Sequence, residues 1–296
     1  MKTNILWAMI VMQSLFGMRE EHVDGWNAKQ YHTYAAPTLA APKSLLGKLP
    51  LQKYQSILDL GCGSGEITAW VAEQNPNAKV LGIDPSQNMI SFAQNQYKHI
   101  ENLSFKVADA LTLCMHNNFD FIFSCNAFHL IPEHQQAATF QALKKLAVSD
   151  RQSALCIIMA ARLQEPEAIT KAYATLIQRA EWAELQKVNL HEYFYPQDAE
   201  SITPFLKQAD FIPLELSVAN EIATFKNKKT LKKFIASWMT GFEFIARMDK
   251  EKQKKFLNEL VDEYASRLEP SHDGSMIWQS PRFVVRAERN PIITTH

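Results

Sequence analysis

An excess of positive charge is missing from this sequence: Lys plus Arg and Asp plus Glu balance at 31 each. No net field is available to attract nucleic acid phosphates, so no nucleic acid partner is expected. One basic run, Lys226, Lys228, Lys229, Lys232 and Lys233, opens an amphipathic helix and reads as a solvated helix face. A long apolar run is missing too. Ile5 to Met12 behind Lys2 falls short of the roughly 20 residues a bilayer requires, so no membrane partner is expected. That stretch looks like a short signal peptide, but Leu15-Phe16-Gly17 makes a poor cleavage site. The other reading starts translation at Met18, and residues 1–21 are set aside as an N-terminal extension. Cysteine is scarce. The four at 62, 114, 125 and 156 form no CxxC pair and find no His at zinc-ligand spacing. No metal is expected; such thiols act as small hydrophobes in or beside strands, and a reducing, cytoplasmic setting fits them.

What is present is ordinary globular composition, 47% hydrophobic and 21% charged. From Ser56 to Ala161, β-branched and apolar runs alternate with helical stretches, the pattern of a parallel α/β sheet. Strands are expected at 56–60, 79–84, 103–108, 119–125 and 153–161. Helices are expected after Gly65, over 86–97 and over 132–146, with Pro132 in the first turn of the last. The second half predicts helices at 167–186, 198–208, 228–246 and 250–267, and strands near 213–225 and 276–287. The last strand completes the sheet, and the helices before it form a lid. The division is a cofactor-binding core at 22–161, lid helices and closing strands of the same domain at 162–289, and a tail at 290–296.

Gly61, Gly63 and Gly65 follow a hydrophobic strand and precede a helix, where the chain must turn sharply and let a ligand approach its backbone. Nicotinamide-binding turns read G-x-G-x-x-G, and Glu66 stands where the third glycine belongs. That disfavours a nicotinamide oxidoreductase. The form present, D-x-G-x-G-x-G, suits a cofactor with an amino acid group in place of a pyrophosphate, whose ammonium Asp59 can meet. Asp84 ends the second strand, where a carboxylate can accept both ribose hydroxyls. Asp109 ends the third, and Cys125-Asn126-Ala127 follows the fourth. Asp109 alone reads as a turn or helix cap, but four such points at adjacent strand ends read as a nucleoside site.

These residues carry a family resemblance. Ile57 to Thr68 resembles the first motif of class I S-adenosylmethionine-dependent methyltransferases. Gly82-Ile83-Asp84-Pro85-Ser86-Gln87-Asn88-Met89 resembles the second, and Phe119 to Phe123 the fourth-strand motif. Within that superfamily, residues 22–289 are similar to the trans-aconitate and juvenile hormone acid methyltransferases. That similarity runs through Trp26 to Tyr31, Asn126 to Leu130, Leu163-Gln164-Glu165-Pro166 and Ser280 to Val285. It departs at Leu130, often aromatic in the family, and over 187–197. The resemblance implies a Rossmann-like sheet of seven strands, mostly parallel with the last antiparallel, flanked by helices, and S-adenosyl-L-methionine as cofactor. It places Asp59, Gly61, Gly63, Gly65 and Asn126 at the methionine part, Asp84 at the ribose, Met89 against the adenine, and Asp109 with Ala110 at the adenine edge.

A sulfonium-bound methyl group is already activated, so the protein mainly holds a nucleophile in line with it. A carboxylate is ionised at neutral pH and needs no general base. With no convincing acid–base pair in the sequence, O-methylation of a small carboxylic acid is the expected reaction. Another O, N or C nucleophile is the runner-up, and a non-catalytic nucleoside-binding regulator is the reading from a different class. Arg162 and Arg282 are candidates to orient the carboxylate through paired N–H bonds, and His129 to contact it. Trp26 and Tyr31 would close the pocket from the N-terminal helix, and Tyr193, Phe194 and Tyr195 would line it. Phe225, Phe234, Trp238, Phe242 and Phe244 suggest an apolar lid. A monomer or weak homodimer is expected.

Overall fold

The computed structural model describes residues 24–113, 118–163, 168–188, 193–268, 271 and 273–291. The N-terminal extension, Cys114, Gln164-Glu165-Pro166 and 292–296 of the tail lie outside them.

Strands β1 (Ser56–Leu60), β2 (Lys79–Asp84), β3 (Leu103–Val107), β4 (Phe121–Cys125), β5 (Ser153–Ala160), β6 (Ile212–Phe225) and β7 (Met276–Arg289) form one sheet in the order β3-β2-β1-β4-β5-β7-β6. The first five pair in parallel, while β7 lies between β5 and β6 and runs antiparallel to both. Every residue of β4 and β5 is buried, because helices cover both sheet faces.

Alternation along the strands divides the core in two. Leu58, Ile122, Ile157 and Val285 face α5 (Glu133–Leu146) and α7 (Ala199–Gln208) through Phe140, Leu143, Ile202 and Leu206. Ile57, Phe121, Phe123 and Ile158 face α2 (Ala40–Leu46) and α3 (Glu66–Gln74) through Leu46, Ile67 and Val71. Helix α4 (Gln87–Gln96) covers β3 with Ile90 and Ala93 against Phe105.

A third core belongs to the cap. It joins α1 (Ala28–Ala35), α6 (Ala168–Leu176), α8 (Lys228–Met239), α9 (Glu243–Ala246) and α10 (Lys250–Ala265) around Trp182, Phe234, Ile235, Phe256 and Leu260. Three expectations from the sequence change here. The helix at 167–186 ends at Leu176, and a 3-10 turn over Ala180–Lys187 carries Trp182 inward, its Nε1 donating to Glu259 at 3.0 Å. The helix at 228–246 breaks at Gly241, where a Cβ would stand 2.4 Å from the Trp26 ring. Pro132 is the N-cap of α5, with extended ψ, and not part of its first turn.

Candidate functional site

The turn after β1 is built by three left-handed glycines, Gly61 (φ 78°), Gly63 (φ 52°) and Gly65 (φ 83°). A Cβ on Gly61 would overlap that of Ala127 at 2.3 Å, so the turn seats directly on the chain leaving β4. A Cβ on Gly63 would meet nothing nearer than Tyr31 at 3.8 Å, which leaves that backbone open to a ligand.

Asp59 lies buried beneath the turn. Its Oδ2 accepts from Thr68 Oγ1 at 2.7 Å, whereas its buried Oδ1 has no partner. Burial pushes its carboxyl up to about 7; the Thr68 bond opposes this and the nearby Asp84 adds to it. Asp84 Oδ2 accepts the Gly63 N–H and Oδ1 the Ser86 N–H, each at 2.9 Å. Burial raises Asp84 to about 6 against those two bonds, with a contribution from Asp24.

Beyond β4, Asn126 adopts φ 57°, a left-handed conformation that asparagine tolerates better than most residues. Its Oδ1 is also buried without a partner. Met89 is buried in the first turn of α4, and Ala110 is buried after β3. Asp109 Oδ1 accepts from Leu111 N, Thr112 N and Thr112 Oγ1 at 2.8–2.9 Å, so this carboxylate caps its own turn.

A cavity of about 570 Å³ opens beside Asn126. Trp26, Tyr31, His129, Arg162, Phe194, Tyr195, Phe234, Trp238, Phe242 and Arg282 are among its walls, with the exposed Glu133 at the start of α5. His129 is buried, and its Nδ1 accepts the Ala160 N–H at 3.2 Å. A backbone N–H only donates, so Nδ1 carries the lone pair and the ring's proton sits on Nε2. Burial, with Arg282 nearby, holds His129 down at about 3: a neutral donor, not a cation.

Arg282 is mostly buried on β7, and its Nε donates to Glu221 Oε2 at 2.5 Å. Glu221 on β6 is fully buried, its Oε1 unpartnered and its pKa raised by burial. Tyr31 is raised to about 12 by burial, partly offset by Arg282.

Of the residues expected to contact substrate, Arg162 is at the cavity wall and Tyr193 is not. Arg162 is exposed at the cavity rim, where Nε donates to the Pro196 carbonyl at 3.3 Å and lies 3.9 Å from Asp198. Tyr193 is not among the described lining residues. Its ring packs on Phe242 and Phe244, while the next two residues, Phe194 and Tyr195, turn to the cavity. Of the aromatic lid, Phe225 and Phe244 also pack away from the cavity. Glu221, Trp278, Thr68 and Asp24 are not singled out by the sequence pattern. Glu221 had a signal, since it shares the inward face of an alternating strand with Ala223 and Phe225. Among the described residues, no group of three or more His, Cys, Asp or Glu is placed to hold a metal ion.

Residues 57–150 match the family model described as a methyltransferase domain. A trans-aconitate 2-methyltransferase of Deinococcus radiodurans is 37% identical over 109 residues, covering 37% of this chain and 41% of that one. One from Afipia carboxidovorans is 24% identical over 88% of this chain and 97% of its own. The fold matches that of phosphoethanolamine N-methyltransferase 2 of Haemonchus contortus in complex with S-adenosyl-L-methionine, with TM-score 0.55 at 18% identity over 93% of this chain and 59% of that one. Residues 57–150 thus form a methyltransferase domain, and its Rossmann-like fold is that of the methyltransferases it resembles.

The residues present fit S-adenosylmethionine, the ligand of that N-methyltransferase structure. The unpartnered Asp59 Oδ1 and Asn126 Oδ1 supply acceptors at the glycine turn, and the open face of Gly63 lets a ligand meet the backbone. The free lone pairs of Asp84 suit ribose hydroxyls. When bound, the cofactor supplies an electrophilic methyl group.

Proposed function

We propose that this methyltransferase O-methylates the carboxyl group of an acid that has one carboxylate and an apolar body. The observation that carries this reading is the pairing of an inward cation, Arg282, with a neutral donor, His129, in a cavity walled mainly by aromatic and aliphatic side chains. Arg282 engages Glu221 through Nε, and its Nη nitrogens make no hydrogen bond among the described residues. Those N–H groups can take a carboxylate with charge-assisted bonds. An ionised carboxylate attacks without a base, which suits a site whose buried histidine already has its lone pair engaged. The catalytic contribution is then positioning and exclusion of water.

The trans-aconitate relatives support a carboxyl acceptor, since their named substrate is itself a carboxylate. Trans-aconitate carries three carboxylates. One inward cation and an exposed rim arginine fit a monoanion better, because each unpaired buried charge would be strongly disfavoured. The test is methyl transfer to a panel of monocarboxylic acids with apolar chains or rings, each beside its primary amide and alcohol. Alkali-labile methyl esters from the acids alone are expected. Methylation of the amides or alcohols in place of the acids would overturn the reading.

A further inference from the structure

We infer that Asp24 is a positioning residue, a latch that holds the N-terminal segment closed across the cofactor cleft, so that cofactor exchange requires the latch to open. This inference rests on the cofactor site and is independent of the acceptor. Both Asp24 carboxylate oxygens accept from Ser86 Oγ at 2.9 Å, and Oδ2 also accepts the Asn88 N–H at 3.0 Å. Asn88 Nδ2 completes the tie by donating to the carbonyls of Asp24 at 3.3 Å and Trp26 at 3.2 Å. Ser86 and Asn88 open α4 directly after Asp84, so the latch grips the turn that bears the ribose carboxylate.

The residues that follow reach two other parts of the site. A Cβ on Gly25 would stand 2.2 Å from the Thr240 carbonyl oxygen, and the Trp26 ring lies against Gly241. Both contacts seat the segment on the cap. Tyr31, edge-on to Trp26 at 5.7 Å, stands over Gly63 of the glycine turn. One segment thus spans α4, the glycine turn and the cap, and it contributes Trp26 and Tyr31 to the cavity wall.

Helix α4 does not depend on Asp24 for its cap, because Ser86 Oγ already accepts the Met89 N–H at 3.1 Å. Asp24 also brings a second carboxylate toward Asp84, a like-charge approach that weakens the closed state. The closed latch is therefore a modest bond, suited to breaking and remaking.

The experiment is stopped-flow release of S-adenosylhomocysteine from the full chain, from Asp24→Ala and from Asn88→Ala, with the thermal midpoint of each measured without ligand. Asn88→Ala cuts the tie from the exposed side and leaves Ser86 and Asp84 in place. Both variants are expected to release the ligand roughly tenfold faster, the scale of hydrogen bonds to a charged group, with cofactor-free midpoints unchanged. Release rates unchanged in both variants would overturn the latch. So would faster release that only follows an equal loss of midpoint in the cofactor-free protein, which would mark a merely structural role.

Discussion

Asp59 carries the most informative titration in the site. Its carboxyl is raised to about 7 and that of Asp84 to about 6, so both hold protons more tightly folded than unfolded. The stability this gives the cofactor-free chain is whole below the usual carboxyl range and is lost as pH rises through about 6 to 7. Pairing Asp59 with an ammonium reverses its preference and favours the ionised form. S-adenosylhomocysteine affinity should therefore increase with pH up to about 7 and then level off, with proton release below that point. Calorimetry in buffers of different ionisation enthalpy measures both, and a flat profile would contradict the pairing. Arg282→Met should raise the KM of an accepted acid roughly a hundredfold, as expected for loss of a desolvated charge partner, and leave cofactor affinity alone. Steady-state kinetics alongside S-adenosylhomocysteine titration checks the split. Asp59 and Asp84 were legible in the sequence because each lies at the carboxyl end of a strand, where the regular backbone fixes the direction of its side chain. Arg162 and Tyr193 were not, since both sit in irregular chain. There the Pro196 carbonyl and the cap rings, invisible to local pattern, set their directions.

Among the elements, the glycine turn is where small substitutions separate packing from backbone strain. Gly61→Ala must push Ala127 aside after β4, whereas Gly63→Ala meets only an ordinary contact with Tyr31 and the left-handed backbone strain. Gly63→Ala should thus cost about 1–2 kcal/mol of stability and Gly61→Ala clearly more, while both weaken cofactor binding. Denaturant melts and S-adenosylhomocysteine titration of the two variants test the order. The strands were readable almost to the residue, because β4 and β5 are apolar but for Ser124 and Ser153 and are bounded by turns. The cap helices were readable in place but not in length. Apolar spacing continues through Trp182 and through Phe242 to Ile245, so periodicity alone carries the helices onward. Their breaks come from tertiary partners, Glu259 for one and the Trp26 ring for the other.

The whole molecule places its chemistry between the sheet and the core of the cap. The sheet supplies Asp59, Asp84 and Asn126 at strand ends, and the cap supplies aromatic walls over Arg282 and His129. The outer edge strand β6 exposes Val218 and Ile222 on the face where β7 exposes Ile277. The fold class was legible from the alternation of strands and helices, and the cofactor from one turn. The cavity was not, because it forms where residues far apart in the chain meet. The most direct test of the cofactor site is calorimetric titration of the full chain with S-adenosylhomocysteine, with NADH as control, in the parent protein and in Asp84→Ala. Saturable binding of S-adenosylhomocysteine alone, lost in Asp84→Ala, is the expected result. Binding of NADH, or S-adenosylhomocysteine binding untouched by Asp84→Ala, would contradict it.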